Sequence, residues 1–156
     1  MDTKDCHIEY ILILIKPDAM ESGKDKEILV KIGDVIQITF SKQVVLTAED
    51  VYVIYPDKVG ANFFPKLLDF LTSGVSTLII GKGRNAGALM QRLKDQIRAD
   101  VLINITNEDL QLLRLGTHPK QDEITNVNAL RNLIHVSCEN DGAVEQITSL
   151  LGKEYL

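Results

Sequence analysis

The fold is decided by the stretch Tyr10-Ile-Leu-Ile-Leu-Ile15, which is followed directly by Lys16-Pro17-Asp18. A continuous apolar run that is rich in β-branched residues is typical of a strand buried on both faces. Pro17 has no N–H to donate to a strand ladder, and it favours an extended conformation for Lys16. We therefore expect a central strand that ends at Lys16.

On either side of this strand, the pattern predicts alternating helices and strands. Thr47, Asn85 and Thr106 are predicted to cap helices, since their side chains can accept the free N–H groups of a first turn. The predicted helices are 24–32, 47–55, 63–71, 85–97, 106–115 and 141–151; the further strands are 35–46, 76–80 and 133–137, and 116–128 is predicted to be irregular. This order predicts an α/β (α+β) fold, a ferredoxin-like βαββαβ antiparallel sheet with helical insertions.

Length and composition bound the function. The 156 residues fit a single domain, 1–156, and the net charge of −5 argues against a dedicated nucleic-acid binder. Cys6 and Cys138 are too few for a disulfide framework, and the start Met1–His7 shows no signal peptide. The run Ile11–Ile15 is too short to cross a bilayer, so we expect no membrane partner. A cytoplasmic location is the expectation from these features.

Two side chains are candidates for chemistry, and each has a simpler structural interpretation. His135 lies on or beside a short apolar strand, where it is either a nucleophile or base or a core histidine bonded to the backbone. Lys16 follows the central strand, where it either meets a phosphate or is a solvated strand terminus.

Other motifs also have both a functional and a structural interpretation. The turn Gly81-Lys-Gly-Arg-Asn-Ala86 matches the Gly-x-Gly-x-x-Ala pattern of dinucleotide-binding folds, but no preceding βαβ unit supports it and the acids that follow come late. Tyr55, Phe63 and Phe64 are either core aromatics or a platform for a base. The sequence has no zinc-ligand spacing and no Walker motif, so no metal-ligating residue is predicted.

Taken in order, these residues resemble the nucleoside diphosphate kinase family over nearly the whole chain. The matching motifs are Ile-Leu-Ile-Lys16-Pro17-Asp18-Ala19, Gly23, Glu27-Ile28, Leu46-Thr47-x-Glu49, Tyr55, Phe63-Phe64, Phe70-Leu-Thr-Ser73-Gly74, Gly83-x-Asn85-Ala86, Gly116-Thr117 and Arg131-Asn132-x-x-His135-x-Ser137.

The resemblance implies transfer of a γ-phosphoryl group from a nucleoside triphosphate to a nucleoside diphosphate. It implies a phosphohistidine at His135, supported by Ser137, with Lys16 and Tyr55 near the transferring phosphate. Phe63 would stack on the base and Asn132 would bond the sugar region. Nucleoside di- and triphosphates are then the expected partners, and Mg²⁺ would enter bound to the nucleotide. The resemblance also implies a homo-oligomer.

The sequence departs from the family pattern around this site. Val136 and Cys138 replace a glycine and an aspartate beside the histidine, and Gln146 replaces a supporting glutamate. A phosphate-binding arginine aligns with Gln91, next to Arg92. A second is missing after Gly116-Thr117, where Lys120 is the candidate substitute. The segments between Gly83 and His135 are also longer, in the region where the family builds its nucleotide lid and part of its oligomer contacts. These departures leave a second expectation: a nucleotide-binding or scaffold protein of the same fold with little or no catalysis.

Overall fold

The computed structural model describes residues 7–156, so the predictions about Met1–Cys6 lie outside the described residues. Its centre is a four-stranded sheet in the order β2-β3-β1-β4, in which every neighbouring pair is antiparallel. The strands are β1 (Ile8–Ile15), β2 (Gln37–Val44), β3 (Ser76–Arg84) and β4 (Ile134–Ser137). This arrangement confirms the predicted ferredoxin-like α+β fold.

Eight α-helices surround the sheet in the described part of the chain. They are α1 (Pro17–Glu21), α2 (Asp25–Val35), α3 (Ala48–Ile54), α4 (Phe64–Thr72), α5 (Ala86–Arg98), α6 (Asn107–Leu115), α7 (Gln121–Thr125) and α8 (Ala143–Leu150). None of the helices within residues 7–156 is both long enough and apolar enough to span a membrane.

Strand β1 is buried on both faces, as its sequence predicts. Ile11, Ile13 and Ile15 point into a core formed with α2 and α5. Leu12 and Leu14 point into the opposite core, formed with α3, α4 and α8. Because side chains alternate along a strand, an unbroken apolar run is stable only where both sheet faces are covered.

The predicted strand 76–80 ends too early, because β3 continues to Arg84 and includes both Gly81 and Gly83. Gly81 is paired on both sides, with Ile11 of β1 and Ile38 of β2. A Cβ at this position would collide with the side chain of Ile36. Gly81 therefore allows close packing on the sheet, which explains the glycine without a phosphate-binding turn. Asn85 enters α5 in the left-handed conformation, with φ of 54° and no side-chain cap.

The segment 116–128, predicted as irregular, is largely helical. It contains α7 and then a π-helical turn over Asn126–Leu130. The Asn128 side chain joins this turn to the preceding loop, donating to Ile103 O at 2.7 Å and accepting from Ile103 N at 2.8 Å. These two hydrogen bonds attach the loop between α5 and α6 to the segment that precedes β4.

Candidate active site

A cavity of about 590 Å³ opens beside β4. It lies between the end of α3, the π-helical turn and the side of α5 that carries Gln91, Lys94 and Arg98. Six of the residues singled out by sequence line it together: Lys16, Tyr55, Phe63, Asn132, His135 and Ser137. They come from distant parts of the chain. The pairing of β4 with β1 brings Lys16 close to Asn132, His135 and Ser137, and the chain between α3 and α4 supplies Tyr55 and Phe63.

His135 lies in the wall of this cavity. Its strand places it opposite Leu14, and its ring lies against Tyr55 with the ring centroids 4.2 Å apart. The Nε2 atom is 2.9 Å from Ser137 Oγ, whereas Nδ1 makes no hydrogen bond with a described residue. Burial lowers the pKa of His135 well below its usual value, and the cations Lys16 and Arg98 lower it further. The imidazole is therefore neutral at physiological pH, with one nitrogen free to act as an acceptor.

Lys16 is fully enclosed at the end of β1, with 1% of its surface exposed. Its Nζ donates to Leu130 O at 3.1 Å and to Asn132 Oδ1 at 2.6 Å. Burial lowers the Lys16 pKa to about 7; Arg98 lowers it as well, and Asp18 acts in the opposite direction. The lysine thus changes charge near neutral pH according to what lies beside it.

A backbone clasp holds the beginning of β4 against the end of β1. Lys16 N donates to Leu133 O at 2.9 Å, and Leu133 N donates to Asp18 Oδ2 at 3.0 Å. Leu133 takes a left-handed conformation with φ of 76°, which is unfavourable for a branched side chain. Both backbone groups of Leu133 are bonded, so the clasp stabilises a strained residue two positions before His135.

Tyr55 completes the wall opposite His135. Its ring is buried, and its hydroxyl is buried without a hydrogen-bond partner among the described residues. Lys16 Nζ lies 5.9 Å from the ring centroid. Burial raises the pKa of Tyr55, so the phenol stays protonated and can donate to an oxygen in the cavity.

Three further cationic side chains line the cavity, and the sequence analysis did not predict them: Lys58, Lys94 and Arg98. With Lys16 they make four basic side chains against two acidic ones, Asp57 and Asp141. A sequence signal for two of them did exist. Lys94 follows Gln91 by three residues in the predicted helix 85–97, and Arg98 directly follows that range, seven residues after Gln91. If the helix continues by one residue, as it does in the structure, that spacing places all three on one helix face.

Two predicted residues are not brought to the cavity. Arg92 is exposed, because it follows Gln91 by one residue and points about 100° away around α5. Lys120 is exposed at the start of α7 and does not line the cavity.

The two glutamines that replace expected charged groups do lie at the cavity. Gln91 donates to Cys138 Sγ at 3.3 Å, so its amide points towards that thiol. Gln146 donates to Asp141 O at 3.1 Å, and its Oε1 is buried without a partner in the described structure. The neutral amide of Gln146 leaves the cavity more cationic than a carboxylate there would, whereas the amide of Gln91 leaves it less cationic than an arginine there would.

Nothing in residues 7–156 groups three or more metal-binding side chains of the His, Cys, Asp or Glu type. The two carboxylates of the cavity already have partners. Asp57 lies 3.4 Å from Lys58 Nζ, and Asp141 accepts a hydrogen bond from Cys138 N at 3.0 Å. These residues do not fit a resident metal ion.

Comparison with known proteins identifies the family of this chain. A family model described as "Nucleoside diphosphate kinase" matches residues 9–155. The chain belongs to the nucleoside diphosphate kinase family. Membership and fold together support nucleotide phosphotransfer in general, and this family binds nucleotides and commonly forms oligomers.

Solved structures of the family show the same fold. The apo enzyme of Encephalitozoon cuniculi superposes with a TM-score of 0.70 at 19% identity, over 95% of this chain and 92% of that one. The Halobacterium salinarum enzyme in complex with CDP gives 0.67 at 22% identity, over 93% and 88%.

A curated relative is a much longer protein than this chain. The thioredoxin domain-containing protein 3 homolog of Ciona intestinalis is 28% identical over 141 residues, which is 89% of this chain. The aligned part makes up 20% of that relative, so the chain spans about a fifth of its length.

Proposed function

We propose that this chain transfers the γ-phosphoryl group of a nucleoside triphosphate to a nucleoside diphosphate through His135. The main support is a neutral imidazole with a free Nδ1, in a cavity with four basic side chains. In the first step Nδ1 attacks the γ-phosphorus, an N–P bond forms, and the bond from phosphorus to the bridging oxygen breaks. The electron pair of that bond leaves on the terminal oxygen of the diphosphate product.

The remaining residues position and neutralise the phosphate charge in this proposal. Here Ser137 Oγ accepts a hydrogen bond from Nε2–H, so that the reactive lone pair is on Nδ1. Lys16 and the Tyr55 hydroxyl donate to phosphate oxygens, while Mg²⁺ enters with the nucleotide and neutralises the developing charge. In the second step a terminal oxygen of another diphosphate attacks phosphorus, the N–P bond breaks, and the imidazole is regenerated.

A second cavity, of about 680 Å³, offers a place for the base of the nucleotide. It shares Lys58, Phe63, Asn128 and Ala129 with the first cavity, so the two are neighbours. Its other walls include apolar residues contributed by α6 and α7, among them Leu110, Leu113 and Ile124. In this proposal the triphosphate occupies the first cavity, the base stacks on Phe63 in the second, and Asn132 bonds the sugar region between them.

Specific observations favour a second function, nucleotide binding without transfer. Gln91 points towards Cys138, and Gln146 gives the imidazole no carboxylate. A nucleotide bound here would then remain unreacted.

The test is incubation of purified protein with γ-labelled ATP and Mg²⁺, followed by detection of acid-labile phosphate. We expect label on the wild type and on His7→Ala, an exposed histidine outside the cavity, and none on His135→Ala. Transfer of the label to added GDP completes the proposed reaction. Nucleotide binding without any labelling would favour the second function.

A further inference from the structure

Arg98 ends α5 beside β4, with its guanidinium in the wall of the candidate active site. One Nη donates to the carbonyl oxygen of Ile134, the residue before His135. The Nε–H is buried and has no hydrogen-bond partner among the described residues. Arg98 also makes no salt bridge with any carboxylate of residues 7–156. Most of the donors of this guanidinium are therefore unused.

Burial disfavours the Arg98 cation, and the nearby carboxylates Asp95 and Asp18 offset this only in part. Burial lowers the pKa of Arg98, and its charge lowers the pKa of both Lys16 and His135. Lys94 lies one turn earlier on the same face of α5, and Arg98 lowers its pKa as well. A concentration of unpaired positive charge costs folding free energy, which a bound polyanion would offset.

The position also suits a phosphate next to His135. Gln91 and Arg98 are seven residues apart on one face of α5, which is about 10 Å along the helix axis. Gln91 lies near Cys138, whereas Arg98 lies at the backbone of the strand that holds His135. A planar guanidinium with free N–H groups can bind two oxygens of one phosphate at once.

We propose that Arg98 binds the phosphate chain of the nucleotide beside His135 and so replaces, two turns further along α5, the arginine expected at Gln91. This inference rests on the proposed function, since it names a phosphate-binding residue of that same site. With Arg98 in this role, the cavity keeps a guanidinium although the arginine expected at Gln91 is missing.

The experiment compares nucleotide affinity in four proteins: the wild type, Arg98→Gln, Arg98→Lys and Arg92→Gln. Arg92 is the matched control, because it lies on the same helix but outside the cavity. Affinities for ADP and for the non-hydrolysable triphosphate AMP-PNP are measured with Mg²⁺ by titration calorimetry, and the affinity for adenosine is measured by NMR titration. Thermal unfolding without nucleotide is recorded for each protein.

We expect Arg98→Gln to weaken ADP and AMP-PNP binding by about 10- to 100-fold, because a charge-assisted, two-oxygen contact is lost. Adenosine, which has no phosphate, should bind with unchanged affinity. Arg98→Lys keeps the charge but loses the planar fork, so its affinity should fall by about 3- to 10-fold. Arg92→Gln should bind all three ligands as the wild type does.

Several results would overturn the inference. An unchanged ADP affinity in Arg98→Gln would do so, as would an equal loss of adenosine and ADP binding, which would indicate only a structural tie to Ile134. If Arg98→Gln does not fold, an unchanged affinity in Arg98→Lys is decisive against it. A wild type that binds no nucleotide would contradict both proposals.

The two proposals can fail separately. Arg98-dependent ADP binding without any phosphohistidine would sustain the inference and contradict the transfer reaction. Phosphohistidine formation in Arg98→Gln with a KM for ATP equal to that of the wild type would contradict the inference and leave the reaction standing.

Discussion

His135 and Lys16 share one cavity, and burial lowers the pKa of both. For His135 the consequence is a neutral acceptor at physiological pH. For Lys16, with a pKa of about 7, it is a charge that depends on the contents of the cavity. A bound phosphate favours the ammonium form and must raise the Lys16 pKa, so ligand binding and protonation are coupled at this residue.

We therefore predict that nucleotide binding at pH 8 takes up a proton. The free protein holds Lys16 mostly neutral at that pH, and the complex holds it charged. Titration calorimetry of ADP in two buffers of different ionisation enthalpy should show uptake approaching one proton. The uptake should disappear in Lys16→Met and persist in Lys24→Met, where the replaced lysine is exposed. The same heat in both buffers would contradict the prediction.

The histidine gives a second prediction, on stability against pH. Because the folded protein holds the His135 pKa well below the unfolded value, the unfolded state binds the proton first as the pH falls. The stability linked to His135 is thus complete above about pH 6.5 and is lost as the pH falls towards the folded pKa. Between pH 7.5 and 5.0 this loss is up to about 2 kcal/mol.

Urea unfolding at the two pH values measures this loss. His135→Gln should lose less stability than the wild type between pH 7.5 and 5.0, and the exposed control His7→Gln should follow the wild type. Parallel losses in all three proteins would show that another group is responsible.

At the level of elements, α3 and α6 begin in the same way but have different surroundings. Thr47 and Thr106 each form a capping box, in which the hydroxyl accepts from the third helical N–H and an aspartate accepts from the threonine N–H. Helix α3 buries Val51 and Ile54 in the core, whereas α6 has no buried residue. The first helix is held by packing as well as by its cap, and the second depends mainly on local interactions.

The matched substitutions Thr47→Ala and Thr106→Ala should therefore act differently. Loss of the cap costs about 1 kcal/mol at either helix. Thr47→Ala should lower the global free energy of unfolding by that amount, because α3 unfolds with the core. Thr106→Ala should leave global unfolding nearly unchanged and speed amide exchange within α6. Equal shifts in the two urea midpoints would show that α6 unfolds with the core.

What the sequence can predict follows from how local each signal is. The caps at Thr47 and Thr106 and the apolar run of β1 were predictable, because neighbouring residues determine them. The strand pairing of Gly81 was not, because it depends on β1 and β2, distant in sequence. The π-helical turn before Arg131 and the Asn128 bonds to Ile103 likewise depend on tertiary contacts. Arg98 was missed because its role follows from facing β4, and the resemblance directed attention to Gln91 instead.

At the scale of the whole molecule, two cores share one sheet, and β3 is packed closely within it. Gly81→Ala should therefore lower the global free energy of unfolding by about 1 to 3 kcal/mol, since the new methyl group collides with Ile36. Gly83→Ala is the matched control, because a Cβ there meets Ala86 at 3.9 Å, an ordinary contact. Urea unfolding measures both changes. A loss of nucleotide affinity in Gly81→Ala without a loss of stability would instead favour the dinucleotide-type turn.

The clasp between Asp18 and Leu133 joins residues 115 positions apart in the chain. Contacts of such long sequence separation form only after much of the intervening chain has been ordered. A ribosome-bound chain that ends before Leu130 has Lys16 but not its partners Leu130 and Asn132, nor His135. Such a chain has no enclosed cation cluster with which to bind and retain cellular nucleotides. In the proposed reaction the ability to transfer phosphate is thus acquired together with β4, which holds His135, and a chain without β4 does not react with nucleotides.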